Sequence, residues 1–142
     1  MELTYGRYLK VEELLQLQQP LSEGPEHDEM LFIIIHQVYE LWFKQIRHEL
    51  EKLKNSFREG ERGKVLHTLK RIRSILKVLV SQVDVLETMT PLEFLSFREL
   101  LQSAIGFQSC QFRELEFKLG LNNSKHLENY PEGSEERNRL EK

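Results

Sequence analysis

The sequence is poor in cysteine and has no excess of basic residues. It contains one cysteine, Cys110, so an internal disulfide is excluded, and this fits a reducing compartment. The net charge is -3, from 20 basic and 23 acidic residues, so the basic excess that neutralises phosphates is missing. We therefore expect no nucleic-acid partner.

Long apolar runs are also missing. The run Met30–Ile35 is far too short to span a bilayer, and Met1 leads into a polar segment without the apolar core of a secretory signal. We expect a soluble, cytoplasmic chain with no membrane partner. The sequence also has no HExxH motif, no glycine-rich phosphate loop, no nucleophile elbow and no Cys/His pair at metal-ligand spacing, which disfavours the corresponding enzyme classes.

What the sequence does have is a stretch, 27–59, without proline or glycine. It is long enough for a helix of about nine turns. One row of apolar residues recurs at helical spacing and predicts a core-facing side. This row consists of Leu31, Ile34, Ile35, Val38, Leu41, Trp42, Ile46, Leu50, Leu53 and Phe57. A second row, Phe32, His36, Tyr39 and Phe43, predicts that the first half of the helix is covered from two directions.

Helical signals continue along the chain. The apolar spacing predicts a second long helix over 64–89, and Thr90-Pro91-Leu92-Glu93 has the pattern of a capping box with proline at the first helical position. A further helix is expected over about 107–119. With no convincing strand, the prediction is an all-α single domain over 1–142, a helical bundle with long antiparallel helices. Residues 1–10 form an arm too short for its own core, and 122–142 form a polar tail that looks disordered on its own.

Two side chains could carry chemistry. His36 shares a helix face with Phe32 and could hydrogen-bond a heterocyclic N–H, or it could be a core histidine bonded to a neighbour. Arg98 lies four residues after Phe94 and could bind a ligand carboxylate, or it could reach solvent or pair with a nearby glutamate.

Four segments resemble the tryptophan 2,3-dioxygenase family: YGRYL, HDEMLFIIIHQVYELWFKQI, LETMTPLEFLSFREL and GFQSCQFRELEFKLG. They occur in the family's order and extend over most of the chain. The resemblance implies an all-α, haem dioxygenase-like fold and a homotetramer. It implies a haem b (iron) enzyme that inserts both atoms of O₂ across the indole C2–C3 bond of L-tryptophan. The product would be N-formyl-L-kynurenine, in the first step of the kynurenine route.

The resemblance also implies roles for individual residues. His36 corresponds to the catalytic distal histidine that hydrogen-bonds the indole N–H, and Arg98 to the residue that binds the substrate carboxylate. The haem side corresponds to Ile105 and Gly106, where Ile105 replaces a family serine, so we expect altered activity. The remaining substrate-binding positions line the indole pocket or belong to the arm that reaches a neighbouring subunit. They are Phe32, Ile33, Ile34, Ile35, Phe94, Tyr5, Tyr8 and Leu9.

One expected part of the site has no match. The family's proximal haem histidine, and a threonine that helps to bind the substrate, correspond to nothing in residues 1–142. We therefore expect no iron ligand in these residues and an incomplete haem site. Two alternatives stay open: a helical interaction module without activity, and a related haem oxygenase that acts on another aromatic substrate.

Overall fold

The structure is a computed structural model that describes residues 3–101, 108–121 and 124–141. Within these residues every regular element is helical, which confirms the predicted all-α class. Short 3-10 helices cover Glu99–Leu101 and Ser124–Asn129. The α-helices are α1 Tyr5–Leu9, α2 Val11–Leu14, α3 Asp28–Arg58, α4 Arg62–Leu86, α5 Pro91–Arg98, α6 Cys110–Lys118 and α7 Glu135–Leu140.

Helices α3 and α4, of 31 and 25 residues, are the two long elements of the fold. Gly60, with φ +71°, ends α3 where the sequence predicts, because glycine adopts the left-handed region without strain. The hydroxyl of Tyr39, early in α3, donates to the carbonyl oxygen of Leu79, late in α4, at 2.8 Å. The two helices are therefore antiparallel, as predicted.

Helix α6 packs on α3, and the two helices are parallel. The pairs of residues in contact advance together along both helices: Gln111 donates to Glu40, Arg47 pairs with Glu114, and Lys118 pairs with Glu51. Side chains from α3, α4 and α6 meet in one buried core. Its members are Phe43, Ile46, Ile72, Ile75, Leu79 and Leu115.

The core does not follow the predicted apolar row of α3 throughout. Leu41 and Phe57 belong to that row but are 53% and 61% exposed, whereas Phe43 of the second row is 9% exposed. The reason is the direction from which the partners approach. The ring of Phe43 lies 5.4 Å from that of Phe112 on α6, so α6 and α4 cover the side centred on Phe43 and Ile46.

The start of α5 matches its sequence signal. The main-chain N–H of Thr90 donates to the Glu93 carboxylate at 2.6 Å, and the Glu93 N–H donates back to the Thr90 hydroxyl at 3.3 Å. These bonds to Thr90 lower the pKa of Glu93, with further contributions from Asp28 and His27, so α5 begins close to the start of α3.

The described part of the polar tail is more ordered than the sequence predicts. Helix α7 packs on α6: Leu140 is buried, and Arg139 pairs with the buried Glu114 at 2.6 Å. Ser134 caps the first turn by accepting from the Arg137 N–H. Leu140 and this ion pair thus help to dock a segment whose composition is otherwise polar, and the Tyr130 hydroxyl adds a hydrogen bond to the Gln108 carbonyl oxygen at 3.3 Å. Among the described residues, no helix has the length and apolar content that crossing a membrane requires.

Candidate functional site

The rings of Phe32 and His36 are in contact on one face of α3, tilted by 36° to each other. Their ring centroids are 4.1 Å apart, and both residues are half-buried. They lie one turn apart, at the i and i+4 spacing that brings side chains together on a helix. The polar imidazole therefore sits against an aromatic ring.

The tautomer of His36 follows from its hydrogen bond. Its Nδ1 lies 2.7 Å from the main-chain carbonyl oxygen of Phe32. A carbonyl oxygen can only accept, so Nδ1 carries the proton in this bond. In neutral imidazole the other nitrogen, Nε2, is then unprotonated and presents a lone pair. His36 can accept a hydrogen bond from a ligand N–H.

Helix α5 supplies two more aromatic rings. The ring of Phe94 lies 5.9 Å from that of Phe32, and the ring of Phe97 lies 5.7 Å from it at a steep angle. Phe94 and Phe97 are themselves edge to face at 5.6 Å. Such arrangements are favourable for aromatic pairs. We name Phe32, His36, Phe94 and Phe97 the aromatic wall.

Arg98 follows this wall on α5 but is not tied into it. It is exposed, and no hydrogen bond or ion pair among the described residues involves it. The pairing with Glu93, Glu99 or Glu116 that the sequence left open is therefore not seen in this part of the chain. The guanidinium is free to bind an anion, at a helix end next to the wall.

The other predicted site residues differ in how exposed their side chains are. Ile35 is buried, Ile33 is half-buried, and Ile34 is 43% exposed. In the arm, Tyr5 and Tyr8 are 78% and 72% exposed. Leu9 is 45% exposed as well, and no ring contact joins the three arm residues to the aromatic wall. Ile105 and Gly106 lie outside the described residues.

A separate groove of about 610 Å³ lies between α3 and α4. Its lining is mainly apolar and shares no residue with the aromatic wall. The lining residues are Val38, Leu41, Trp42, Gln45, Arg71 and Ile75. None of these lining residues is a histidine, so the groove is not part of the site around His36. The described residues also contain no group of three or more His, Cys, Asp or Glu side chains that could hold a metal ion.

Comparison with known proteins decides the family. The model of the family described as tryptophan 2,3-dioxygenase matches residues 1–141. The chain belongs to the tryptophan 2,3-dioxygenase family.

Curated members of the tryptophan 2,3-dioxygenase family agree. The tryptophan 2,3-dioxygenase of Herpetosiphon aurantiacus is 63% identical over 118 residues, which cover 83% of this chain and 45% of the relative. That of Anaeromyxobacter sp. (strain K) is 58% identical over 92% of this chain and 49% of its own length. That of Anopheles gambiae is 51% identical over 90% of this chain and 34% of its own length. The chain spans about half the length, or less, of these relatives.

Within this tryptophan 2,3-dioxygenase family member, the structure adds residues that the sequence did not single out. Phe97 is fully buried and contacts both Phe32 and Phe94. Its i+3 spacing from Phe94 was a usable signal. The carboxylate of Glu29 and the amide of Gln37, which bind the segment before α3, gave no such signal, because their partners lie 8 and 20 residues earlier, outside any helical spacing.

Proposed function

We propose that this chain supplies the distal, substrate-binding side of a haem-dependent tryptophan 2,3-dioxygenase. The enzyme would use O₂ to cleave the indole C2–C3 bond of L-tryptophan and release N-formyl-L-kynurenine. Family membership supports the reaction class, and the aromatic wall supports an indole-sized ligand.

The observation that carries the proposal is the tautomer of His36. The Nδ1–H is engaged with the Phe32 carbonyl, so Nε2 is left as an acceptor beside an aromatic ring. An indole N–H is a donor only, and its ring can pack against phenylalanine. His36 would therefore hold the N–H while Phe32 and Phe94 orient the ring plane.

Arg98 would bind the other end of the substrate. A guanidinium matches a carboxylate through two parallel hydrogen bonds, and Arg98 has no competing acid among the described residues. Fixing an amino acid at both its ring N–H and its carboxylate would place the C2–C3 bond in one orientation.

The chemistry of the described residues suits the distal side of a haem, because the rings of Phe32 and Phe94 are apolar and His36 supplies one polar atom. The predicted haem-side residues, Ile105 and Gly106, lie outside the described residues. When bound, haem would supply the oxygen chemistry. The protein residues would bind the substrate, orient it and exclude water from it.

The arm and the assembly belong to the same proposal. Tyr5, Tyr8 and Leu9 are exposed in the single chain, which is compatible with an arm that enters a neighbouring subunit's pocket. We propose a homotetramer located in the cytoplasm, with heme b as cofactor and L-tryptophan and O₂ as substrates.

The test is product formation. The protein is mixed with haem, L-tryptophan and ¹⁸O₂, alone and together with the C-terminal half of the Herpetosiphon aurantiacus relative, and the product is measured by mass spectrometry. We expect N-formyl-L-kynurenine carrying two ¹⁸O atoms only in the mixture that contains both segments.

The intact relative serves as the positive control. If it forms product while neither mixture does, the proposed activity is contradicted. Full activity of the 142-residue chain alone would instead contradict the expectation that its haem site is incomplete.

A further inference from the structure

A buried carboxylate on α3 holds the segment that precedes the helix. Glu29 is 1% exposed. Its two oxygens accept from the main-chain N–H of Leu21 at 2.7 Å, from the N–H of Ser22 at 2.9 Å and from the Ser22 hydroxyl. A carboxylate removed from water is costly unless its lone pairs are satisfied. Here all of its described donors come from one short stretch of chain.

Two turns later, Gln37 makes a second attachment to the same segment. Its amide donates to the carbonyl oxygen of Leu17 at 3.0 Å, and its side-chain oxygen accepts from the amide of Gln18 at 2.6 Å. Residues 17–22 are therefore fastened to α3 at both ends. We name them the strap.

Apolar burial does not explain why the strap stays on α3. Its large apolar side chains, Leu17 and Leu21, are 61% and 64% exposed. The attachment is polar and specific, so it depends on the two side chains Glu29 and Gln37.

The two anchors of the strap, Glu29 and Gln37, are close to the Phe32–His36 pair on the surface of α3. Glu29, Ile33 and Gln37 are spaced at i, i+4 and i+8, which places them along one side of α3. At about 100° per residue, His36 lies only about 20° around the helix from Glu29. Helix α5 contacts Phe32 by way of Phe94. The Phe32–His36 pair thus contacts α5 and is next to the side of α3 that carries the anchors of the strap.

The strap also leads to the arm. The Gln18 amide that bonds Gln37 is 3.1 Å from the carbonyl oxygen of Leu14 at the end of α2. Helix α2 follows α1, which carries Tyr5 and Tyr8. A displacement of the strap would therefore move the origin of the arm.

We propose that Glu29 and Gln37 are positioning residues for L-tryptophan binding. They hold the strap along α3, so that it supports the Phe32–His36 pair and fixes where the arm leaves the helix. This inference rests on the proposed function. It concerns residues that act through the strap and do not themselves touch the substrate.

The test compares Glu29→Gln, alone and combined with Gln37→Ala, with the control Glu23→Gln. Glu29→Gln keeps the side-chain shape but directs an NH₂ group at donors, whereas Glu23 is exposed and bonds to no described residue. Hydrogen exchange of strap amides and the NMR signals of the His36 ring are measured on the full chain. Calorimetric affinity for L-tryptophan is measured on the haem-loaded mixture of this chain with the C-terminal half of the Herpetosiphon aurantiacus relative.

We expect strap amides to exchange at least about tenfold faster in Glu29→Gln, since the hydrogen bonds that the carboxylate accepts from the strap are lost. The His36 ring signals should shift, and L-tryptophan should bind about tenfold more weakly. Glu23→Gln should match the wild type in all three, and circular dichroism should show unchanged helix content in every variant.

Two results would overturn the inference. In one, strap exchange stays at the wild-type rate in both Glu29 variants, so Glu29 is not an anchor. In the other, the strap is released while His36 signals and affinity stay unchanged, so the strap has a structural role only. If the wild-type protein itself does not bind L-tryptophan, the proposed function fails, and the His36 signals still decide whether the strap positions the pair.

Discussion

The Nδ1 atom of His36 lies 2.7 Å from the carbonyl oxygen of Phe32, one helical turn earlier. This bond is local, within a helix that contains neither proline nor glycine, so it holds the imidazole without help from any loop. It fixes which nitrogen carries the proton, and the imidazole also contacts the ring of Phe32, with the ring centroids 4.1 Å apart. An acceptor of fixed direction beside an aromatic surface is the part of the proposed site that the described contacts define best.

Replacing Arg98 should show whether this residue binds the carboxylate of the ligand and not its ring. Arg98→Ala should weaken L-tryptophan binding about tenfold, because a charge-assisted hydrogen bond contributes about 1.5–3 kcal/mol and this side chain is exposed. Tryptamine, which lacks the carboxylate, should bind equally well before and after the change. Calorimetric titration with both ligands measures the difference.

Arg73→Ala is the matched control, since Arg73 is an exposed arginine on α4. It should leave both affinities unchanged. If Arg98→Ala lowers the affinities for L-tryptophan and tryptamine equally, Arg98 does not bind the carboxylate.

Phe97 should be the largest single contributor to the docking of α5. It is fully buried, and its ring contacts those of Phe32 and Phe94. Phe97→Ala should lower the free energy of unfolding by about 3–5 kcal/mol, as large-to-small changes of buried aromatics do. Urea denaturation followed by circular dichroism measures it.

Leu92→Ala tests the same helix at an exposed position. Leu92 is 80% exposed, so the free energy of unfolding should change by no more than about 0.5 kcal/mol. A loss below about 1 kcal/mol for Phe97→Ala would mean that α5 is not held by this contact.

The structure explains why sequence reasoning succeeded for some elements. The end of α3 at Gly60 and the start of α5 at Thr90 are set by local chemistry, a left-handed glycine and a capping box. Both could be predicted because the determining residues are adjacent in sequence. The contact of Phe32 with His36 could be predicted for the same reason, since i and i+4 side chains meet on any helix.

The remaining features depend on how helices pack together or on how a loop folds back. Phe43 is buried and Leu41 exposed because α4 and α6 approach α3 from particular sides. The attachment of Glu29 to Leu21 and Ser22 depends on how the preceding loop turns back. Apolar periodicity does not determine either one.

Acid should weaken the strap. Burial raises the pKa of Glu29, but the hydrogen bonds from Ser22 and Leu21 lower it by more, so the pKa falls below its ordinary value of 4.5. Because the folded-state pKa is lowered, the carboxylate's contribution to stability is complete above the unfolded-state value. It is lost as the pH falls through the folded-state value.

The free energy of unfolding should therefore decrease between about pH 5 and about pH 3, and the decrease should be smaller in Glu29→Gln, which has no proton to take up. Urea denaturation across this pH range measures both slopes. Identical slopes in the two proteins would show that Glu29 is not ionised at neutral pH in the folded chain or that its bonds do not contribute to stability.

The central claim is that His36 accepts the indole N–H of L-tryptophan, and the most direct test is a ligand without that hydrogen. This chain and its His36→Ala variant, each loaded with haem together with the C-terminal half of the Herpetosiphon aurantiacus relative, are titrated calorimetrically with L-tryptophan and with 1-methyl-L-tryptophan. We predict that His36→Ala weakens L-tryptophan about tenfold, the effect of one buried hydrogen bond, and leaves the weaker affinity for the methylated ligand unchanged. Equal affinity of the wild-type protein for both ligands, or equal loss of both in the variant, would contradict the claim.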